Sequence, residues 1–370
     1  MSRQHAILSA SSAHRWLICT PSARIEEKCP EQVSVYAEEG TEAHATAEAL
    51  IRKYLETGRI EKIDCDASIL AYVDFVVERI NSAKSKTSDP IVLVEQRLDY
   101  SPWVPEGFGT GDVVIISDGT LEIIDLKYGK GVPVSAENNP QIRLYALGAL
   151  NLFGYLYDIE TVVMTIVQPR LDNITTEEIN AEELLKWAEE YVKPRAAMAW
   201  RGEGEFKAGD HCRFCRARHI CRARAEYNLE LARYDFKKPE LLADHEVAEI
   251  LARAEELARW VADVQEYALD QAVNHGKKWP GYKLVEGRSV RRITDETKAA
   301  EKLKAAGLTE DEIFKKSLVG ITTLEKKLGK KRFNELLGDL VEKPPGKPTL
   351  VPESDSRPEF NQAAEDFKEG

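Results

Sequence analysis

The stretch GTGDVVIISDGTLEIIDLKYGKG, residues 109–131, constrains the chain more tightly than any other segment. An Asp118-Gly119 dipeptide between apolar runs is the strongest short-range signal for a two-residue hairpin, and such a turn pairs residues whose numbers sum to a constant. Ser117 then faces Thr120 and Ile116 faces Leu121. Continued without a bulge, the same register sets Asp112 opposite Asp125 with side-chain stems roughly 5 Å apart. Lys127, two residues on, shares their face. A single strand acid is more often solvated on an open face, but Val113 to Ile116 and Ile123 to Ile124 are apolar on both faces, as in strands covered on both sides. Like charges directly opposed on a strand pair repel, so the pairing asks for a cation between the carboxylates or a proton on one of them. Two acids and a lysine on one hairpin face look like a metal site.

At 370 residues and 43% hydrophobic content, the chain can bury a large core in one or two domains. Its net charge of −12 argues against blanket attraction to nucleic acid while leaving room for a basic channel on an acidic body. No apolar run approaches the roughly 20 residues of a membrane helix, and MSRQHAILSASSAHRW lacks the apolar centre of a signal peptide. The expected location is cytoplasmic. In that reducing compartment the six cysteines point to metal or cofactor chemistry rather than disulfides.

The element order predicts an α/β core. Helices are expected over 38–58, with His44 in the first half, and over 66–85. A strand over 90–98 precedes the hairpin, and its Glu95 reads equally as a further carboxylate for the paired acids or as a solvated strand end. NNPQIRLYALGALNLF (138–153) opens on helix-start signals, a strand covers 159–170, and a long helix covers 176–200. Past residue 226 the texture turns helical: one amphipathic helix over 245–276, a hairpin over 277–294, and two or three short lysine-rich helices over 296–341. The tail 346–370 is proline-rich and polar, with the composition of an extended or disordered segment. The domain division expected is 1–225, 226–345 and 346–370. No GxxxxGK[ST] loop occurs, so no nucleotide-driven motor is recognisable.

HCRFCRARHIC places Cys212, Cys215 and Cys221 in C-x2-C-x5-C spacing. Three thiolates this close suit one metal centre, and tetrahedral or cluster ligation asks for a fourth, for which Cys19 in HRWLICTPS is the candidate ahead of Cys29 and Cys65. Spacing alone does not separate zinc, with His211 or His219 as a ligand, from an iron–sulfur cluster. Arg213, Arg216, Arg218, Arg222 and Arg224 surround the same cysteines. They read as a fixed basic ridge suited to phosphate, or as a solvated charged loop.

Taken in chain order, Gly40-x3-His44, Asp112, Asp125-Leu126-Lys127, Gln141-x3-Tyr145 and the four cysteines resemble the RecB family of PD-(D/E)XK nucleases, in its four-cysteine iron–sulfur branch. Prophage-encoded members share the DLKYGKG and NPQIRLYALGAL texture. The resemblance spans about residues 8–225 and does not clearly reach further. DLK and QxxxY are weak motifs singly, but their order together with the cysteines is specific. The chain departs from the superfamily name in having glycine, not proline, before its first acid.

The resemblance implies an α+β restriction-endonuclease-like core, a mixed sheet flanked by helices, stapled by a four-cysteine cluster and followed by a mainly helical C-terminal region. It implies Mg2+ or Mn2+ held by His44, Asp112, Asp125 and the Leu126 carbonyl, with Lys127 acting on the attacking water. Gln141 and Tyr145, on one helix face, would touch DNA beside the metal. A 4Fe-4S cluster, or zinc in its place, would sit on Cys19, Cys212, Cys215 and Cys221. The expected activity is a metal-dependent deoxyribonuclease, an exonuclease or end-processing enzyme of phage recombination in a bacterial host. Its partners would be DNA and a phage single-strand annealing or single-strand-binding protein. Two other readings compete: a DNA-binding recombination scaffold with weak or no cleavage, and a zinc-stapled structural protein. The first is disfavoured by the intact acids and lysine, and the second leaves the paired acids unexplained.

Overall fold

The computed structural model describes residues 6–30, 35–61, 63–231, 242–285, 295–314 and 318–341. Short helices α1 (Ala13–Trp16) and α2 (Ser22–Glu26) precede two long ones, α3 (Val35–Thr57) and α4 (Ala67–Lys86). Asp66 starts α4 by accepting a hydrogen bond from the Ser68 N–H, which satisfies one of the free donors of a first turn. Five strands follow: β1 (Ile91–Asp99), β2 (Phe108–Ser117), β3 (Thr120–Leu126), β4 (Thr161–Gln168) and β5 (Asn173–Asn180). They form one mixed sheet in the order β1-β2-β3-β4-β5, antiparallel except for the parallel pair β3–β4. That parallel pair needs a crossover, and α5 (Pro140–Phe153) supplies it. Pro140 sits in its first turn, and the Asn139 side chain caps the N–H groups of Gln141 and Ile142.

The sheet is buried on both faces, as the continuous apolar runs predict. Val114, Ile116, Leu121 and Ile123 join a core with α5 and the N-terminal helices, whereas Val113, Ile115, Ile124 and Leu126 join a second core with α3 and α4. Glu122 is the one β3 acid on the second side. It is buried and takes a two-pronged contact from Arg79 of α4, so its charge is matched where it enters the core.

The turn chemistry sets the hairpin register as expected: Ser117 pairs with Thr120, and the ladder runs to Val113 opposite Ile124. A helix beginning at 176 does not form. Residues 173–180 instead add β5 to the edge of the sheet, where Ile174 and Ile179 lie across from Val167 and Val162. Thr175 and Thr176 are β-branched and favour the strand, and Asn180 then caps α6 (Ala181–Trp187) through the Glu182 N–H. A wide turn, Ala188–Val192, carries the chain on into α7 (Lys193–Arg201).

The cysteine segment leads into α8 (Arg222–Leu229), and α9 (Asp244–His275) follows. The chain forms two compact units, Met1–His275 and Gly276–Gly370, whereas the sequence reading divides it after 225 and 345. Arg224, fully buried on α8, pairs with Glu256 and Asp263 of α9, and Arg218 also reaches Asp263. In the second unit, residues 277–285 contain no strand, and the rest of the expected hairpin lies outside the described residues. α10 (Glu296–Ala305), α11 (Glu310–Ile313), α12 (Ile321–Leu328) and α13 (Lys330–Leu337) realise the short helices. The expected disordered tail, 346–370, lies outside the described residues. No described helix is long and apolar enough to cross a membrane.

Candidate metal centre and its surroundings

Two registers converge on one row of acids. The β2–β3 pairing continues from Val113–Ile124 toward Asp112 and Asp125, and the β1–β2 pairing of Val94 with Val113 and Gln96 with Gly111 brackets Glu95 and Asp112. Glu95, Asp112 and Asp125 thus lie across three adjacent strands, with the ladder interrupted at each step. At the centre, Asp112 Oδ2 accepts the Leu126 N–H at 2.6 Å, and Asp112 Oδ1 lies 3.1 Å from His44 Nδ1 on α3. Glu95 has φ +52°, a left-handed backbone that a non-glycine residue adopts at a cost of roughly 1–3 kcal/mol.

Two glycines of the hairpin entry clear the space around these acids. A Cβ on Gly109 would stand 2.6 Å from Cε1 of Tyr145, and one on Gly111 would stand 2.7 Å from Cδ1 of Leu98. The GTGD sequence therefore admits the Tyr145 ring and Leu98 against β2 immediately before Asp112.

Burial decides the electrostatics. Asp125 is only 3% exposed, and desolvation pushes its carboxyl up, opposed by Lys127 and reinforced by Asp112. Its Oδ2 accepts no hydrogen bond of good direction and lies 2.5 Å from Lys127 Nζ. Burial and the Asp112 charge push Glu95 up to about 7. Burial alone would lower His44, but the hydrogen bond and charge of Asp112 outweigh it and raise the imidazole. His44, Glu95 and Asp112 each offer a ligand atom, and all three atoms lie within 4.8 Å of one another. Such a cluster of one imidazole and two carboxylates suits a divalent cation.

Gln141 and Tyr145 do share a face of α5, joined by a 3.2 Å hydrogen bond from Gln141 Nε2 to the Tyr145 hydroxyl. Tyr145 is a core residue and Gln141 is the one that reaches the surface. There, Gln141 and Lys127 line a groove of about 1190 Å3 that extends past Ser9 and Ser12 to Phe214 and Arg216 of the cysteine segment. The basic ridge is smaller than its sequence suggests. Arg224 and Arg218 are spent on α9, Arg213 and Arg222 are exposed, and Arg216 is half-buried.

Cys19, Cys212, Cys215 and Cys221 line one cavity of about 460 Å3, bringing together residues some 200 positions apart. Burial raises Cys19 and Cys212 and pushes Cys215 up to about 12. Among the described residues no three of these sulfurs lie mutually within 4.8 Å. Cys29 and Cys65 are outside the cavity, whereas His211 lines it with Nε2 bonded to the Lys207 carbonyl. His219 stacks on Tyr267 of α9, with ring centroids 4.2 Å apart. Sequence reasoning misses Tyr72: it is 1% exposed, and its hydroxyl has no hydrogen-bond partner. Nothing in the apolar helix ILAYVDFVV marks that hydroxyl as different from a packed ring.

A family model described as "Protein of unknown function (DUF2800)" matches residues 5–358. Among solved structures, the protein designated SSO0001 is 15% identical, with 60% of this chain and 88% of that one covered and a TM-score of 0.26. A "Putative exonuclease" from Eubacterium rectale is 13% identical, with 54% and 82% covered and a TM-score of 0.30. Overlaps this loose bear on neither fold nor activity.

Proposed function

The chain belongs to the DUF2800 family, and from the geometry of its site we propose that it is a metal-dependent deoxyribonuclease with a PD-(D/E)XK-like centre. The observation that carries the reading is that His44 of α3 meets Asp112 of β2 while the neighbouring Asp125 of β3 pairs with Lys127, which lines a groove that also presents Gln141. His44 and Asp112 would hold the cation, and Asp125 and the Leu126 carbonyl are the further ligands that the resemblance implies. The donor set fits: carboxylate oxygens with one imidazole, the ligand atoms of His44, Glu95 and Asp112 lying within 4.8 Å of one another. When bound, the cation supplies Lewis acidity toward a phosphodiester oxygen and acidifies water.

Lys127 is placed to donate to the developing negative charge on phosphate, and Asp125 fixes its ammonium at that spot. Gln141 offers an amide to a backbone oxygen of the strand, and Tyr145 holds it in place.

The four cysteines line one cavity, which supports a shared metal centre: a 4Fe-4S cluster, as the resemblance implies, with zinc as the alternative occupant. The cluster would tie the N-terminal helices to the segment before α8. Protein purified without oxygen should be brown with stoichiometric iron, and Cys215→Ser should lose the colour. Colourless, zinc-loaded protein overturns this part and leaves the nuclease reading standing.

The nuclease test is a time course on end-labelled single- and double-stranded DNA with Mg2+ or Mn2+. Wild type should degrade DNA, Asp112→Ala should not, and Lys127→Ala should lose about 10²-fold or more. A wild type that binds DNA and cuts neither substrate with either metal would replace this reading with the binding scaffold.

A further inference from the structure

We propose that the cation sits on the Glu95 side of Asp112, ligated by His44, Glu95 and Asp112, and that Asp125 lies outside its ligand set. The inference rests on the metal-dependent reading above and specifies the second carboxylate. Three atoms within mutual reach are the first observation: the ligand atoms of His44, Glu95 and Asp112 all lie within 4.8 Å of one another, and no described triad that includes Asp125 does. Space is the second. A void of about 10 Å3 lies among His44, Glu95, Asp112 and Leu126, and Asp125 is not among its lining residues. A site of that size holds about one ion or one water.

The partners of each acid point the same way. Asp125 is already matched by the Lys127 ammonium at 2.5 Å. No described residue hydrogen-bonds or ion-pairs with Glu95, and the nearby Arg52 spends its guanidinium on Glu48 and the Val94 carbonyl. A half-buried carboxylate facing another acid across a strand pair is short of positive charge. A divalent ion between Glu95 and Asp112 supplies it.

An independent sign of a ligand comes from the helix behind the void. Tyr72 of α4 lines the same space, is 1% exposed, and carries a hydroxyl without a partner. A buried hydroxyl left unpaired is costly, and this one belongs to a residue that lines the void. The left-handed backbone of Glu95 fits the same picture, because it turns the strand where that side chain is delivered: Val94 packs in the α3–α4 core and Leu98 in the opposite one. One imidazole with two carboxylates selects an ion that tolerates nitrogen, Mn2+ ahead of Mg2+ or Ca2+.

The experiment is an Mn2+ titration of the full chain without DNA, read from the paramagnetic resonance signal of the free ion. Wild type, Glu95→Gln, Glu95→Asp, Asp125→Asn and Tyr72→Phe are compared, each checked for its melting temperature. Glu95→Gln should weaken Mn2+ at least about tenfold more than Asp125→Asn, whose effect is that of a neighbouring charge. Glu95→Asp, which keeps the charge on a shorter arm, should fall between wild type and Glu95→Gln and cover the case of a poorly folded glutamine variant. Equal loss in Glu95→Gln and Asp125→Asn, or greater loss in Asp125→Asn, overturns the assignment, as does unaltered binding in Glu95→Gln. Failure of the nuclease reading is seen separately: an Mn2+ site lost only in the Glu95 variants, on a protein that cuts no DNA, keeps this site and discards that function.

Discussion

Glu95 and Asp112 face each other across β1 and β2 with the imidazole of His44 as their nearest balancing group. Without a metal the fold can lower that repulsion by keeping a proton on Glu95, which is why burial and Asp112 push its carboxyl up to about 7 from an ordinary 4.5. An acid with a raised folded-state pKa binds its proton more tightly in the fold than in the open chain. Its contribution is therefore fully present below pH 4.5 and is lost as pH rises through about 7. In chelator, wild type should lose melting temperature from pH 5 to pH 8 relative to Glu95→Gln, which cannot ionise. The two curves should converge at acid pH and separate in favour of the glutamine variant above neutrality. Parallel curves would show that Glu95 does not ionise across this range. Little of this is readable in the sequence. The Asp112–Asp125 pairing follows from a two-residue turn that fixes its own register, but β1 and β2 are joined by eight residues, 100–107, which fix none. Glu95 is only a nearby acid until the sheet aligns it.

At the scale of elements, segments with local start and stop chemistry are legible and segments held by distant partners are not. Asp66 and Asn139 announce α4 and α5 through caps that act within three residues. β5 carries a helix-like run of glutamates, TEEIN, and becomes a strand only because β4 offers it an open edge. By its texture α9 reads as the start of an appendage, yet the partners of its acids lie on the cysteine segment and α8. Arg224 is fully buried between Glu256 and Asp263, with its Nε 2.7 Å from Glu256 and Nη1 2.6 Å from Asp263. Removing one member of a buried charge network leaves the others desolvated, at a cost of about 3–5 kcal/mol. Arg224→Met should therefore lower stability by that order and release α9 first, seen as faster amide exchange and protease cutting over 244–275 while β2 and β3 stay protected. Equal loss of protection in the sheet would mean that α9 is part of the same cooperative core.

The whole chain divides its charge as it divides its structure. Residues 276–370 hold 20 Lys and Arg against 17 Asp and Glu, so the acidic surplus belongs entirely to the first unit, which also carries the metal ligands. Both described hydrophobic cores lie within residues 7–200, whereas among the described residues of the second unit only Ala300 and Phe333 are buried apolar residues. A ligand that binds the folded state stabilises the unit that holds it, by about 2.7 kcal/mol at 100 times its Kd. Transmission to the other unit requires that the two unfold together. With so little apolar burial of its own, the second unit is expected to open independently of the first. Saturating Mn2+ should consequently slow amide exchange in peptides from α3, β1 and β2, and leave peptides covering α10 to α13 unchanged. Protection rising by the same factor in both sets would show one cooperative molecule. In that case the lysine-rich helices are coupled to the metal centre, and deleting them should weaken Mn2+ binding as Glu95→Gln does.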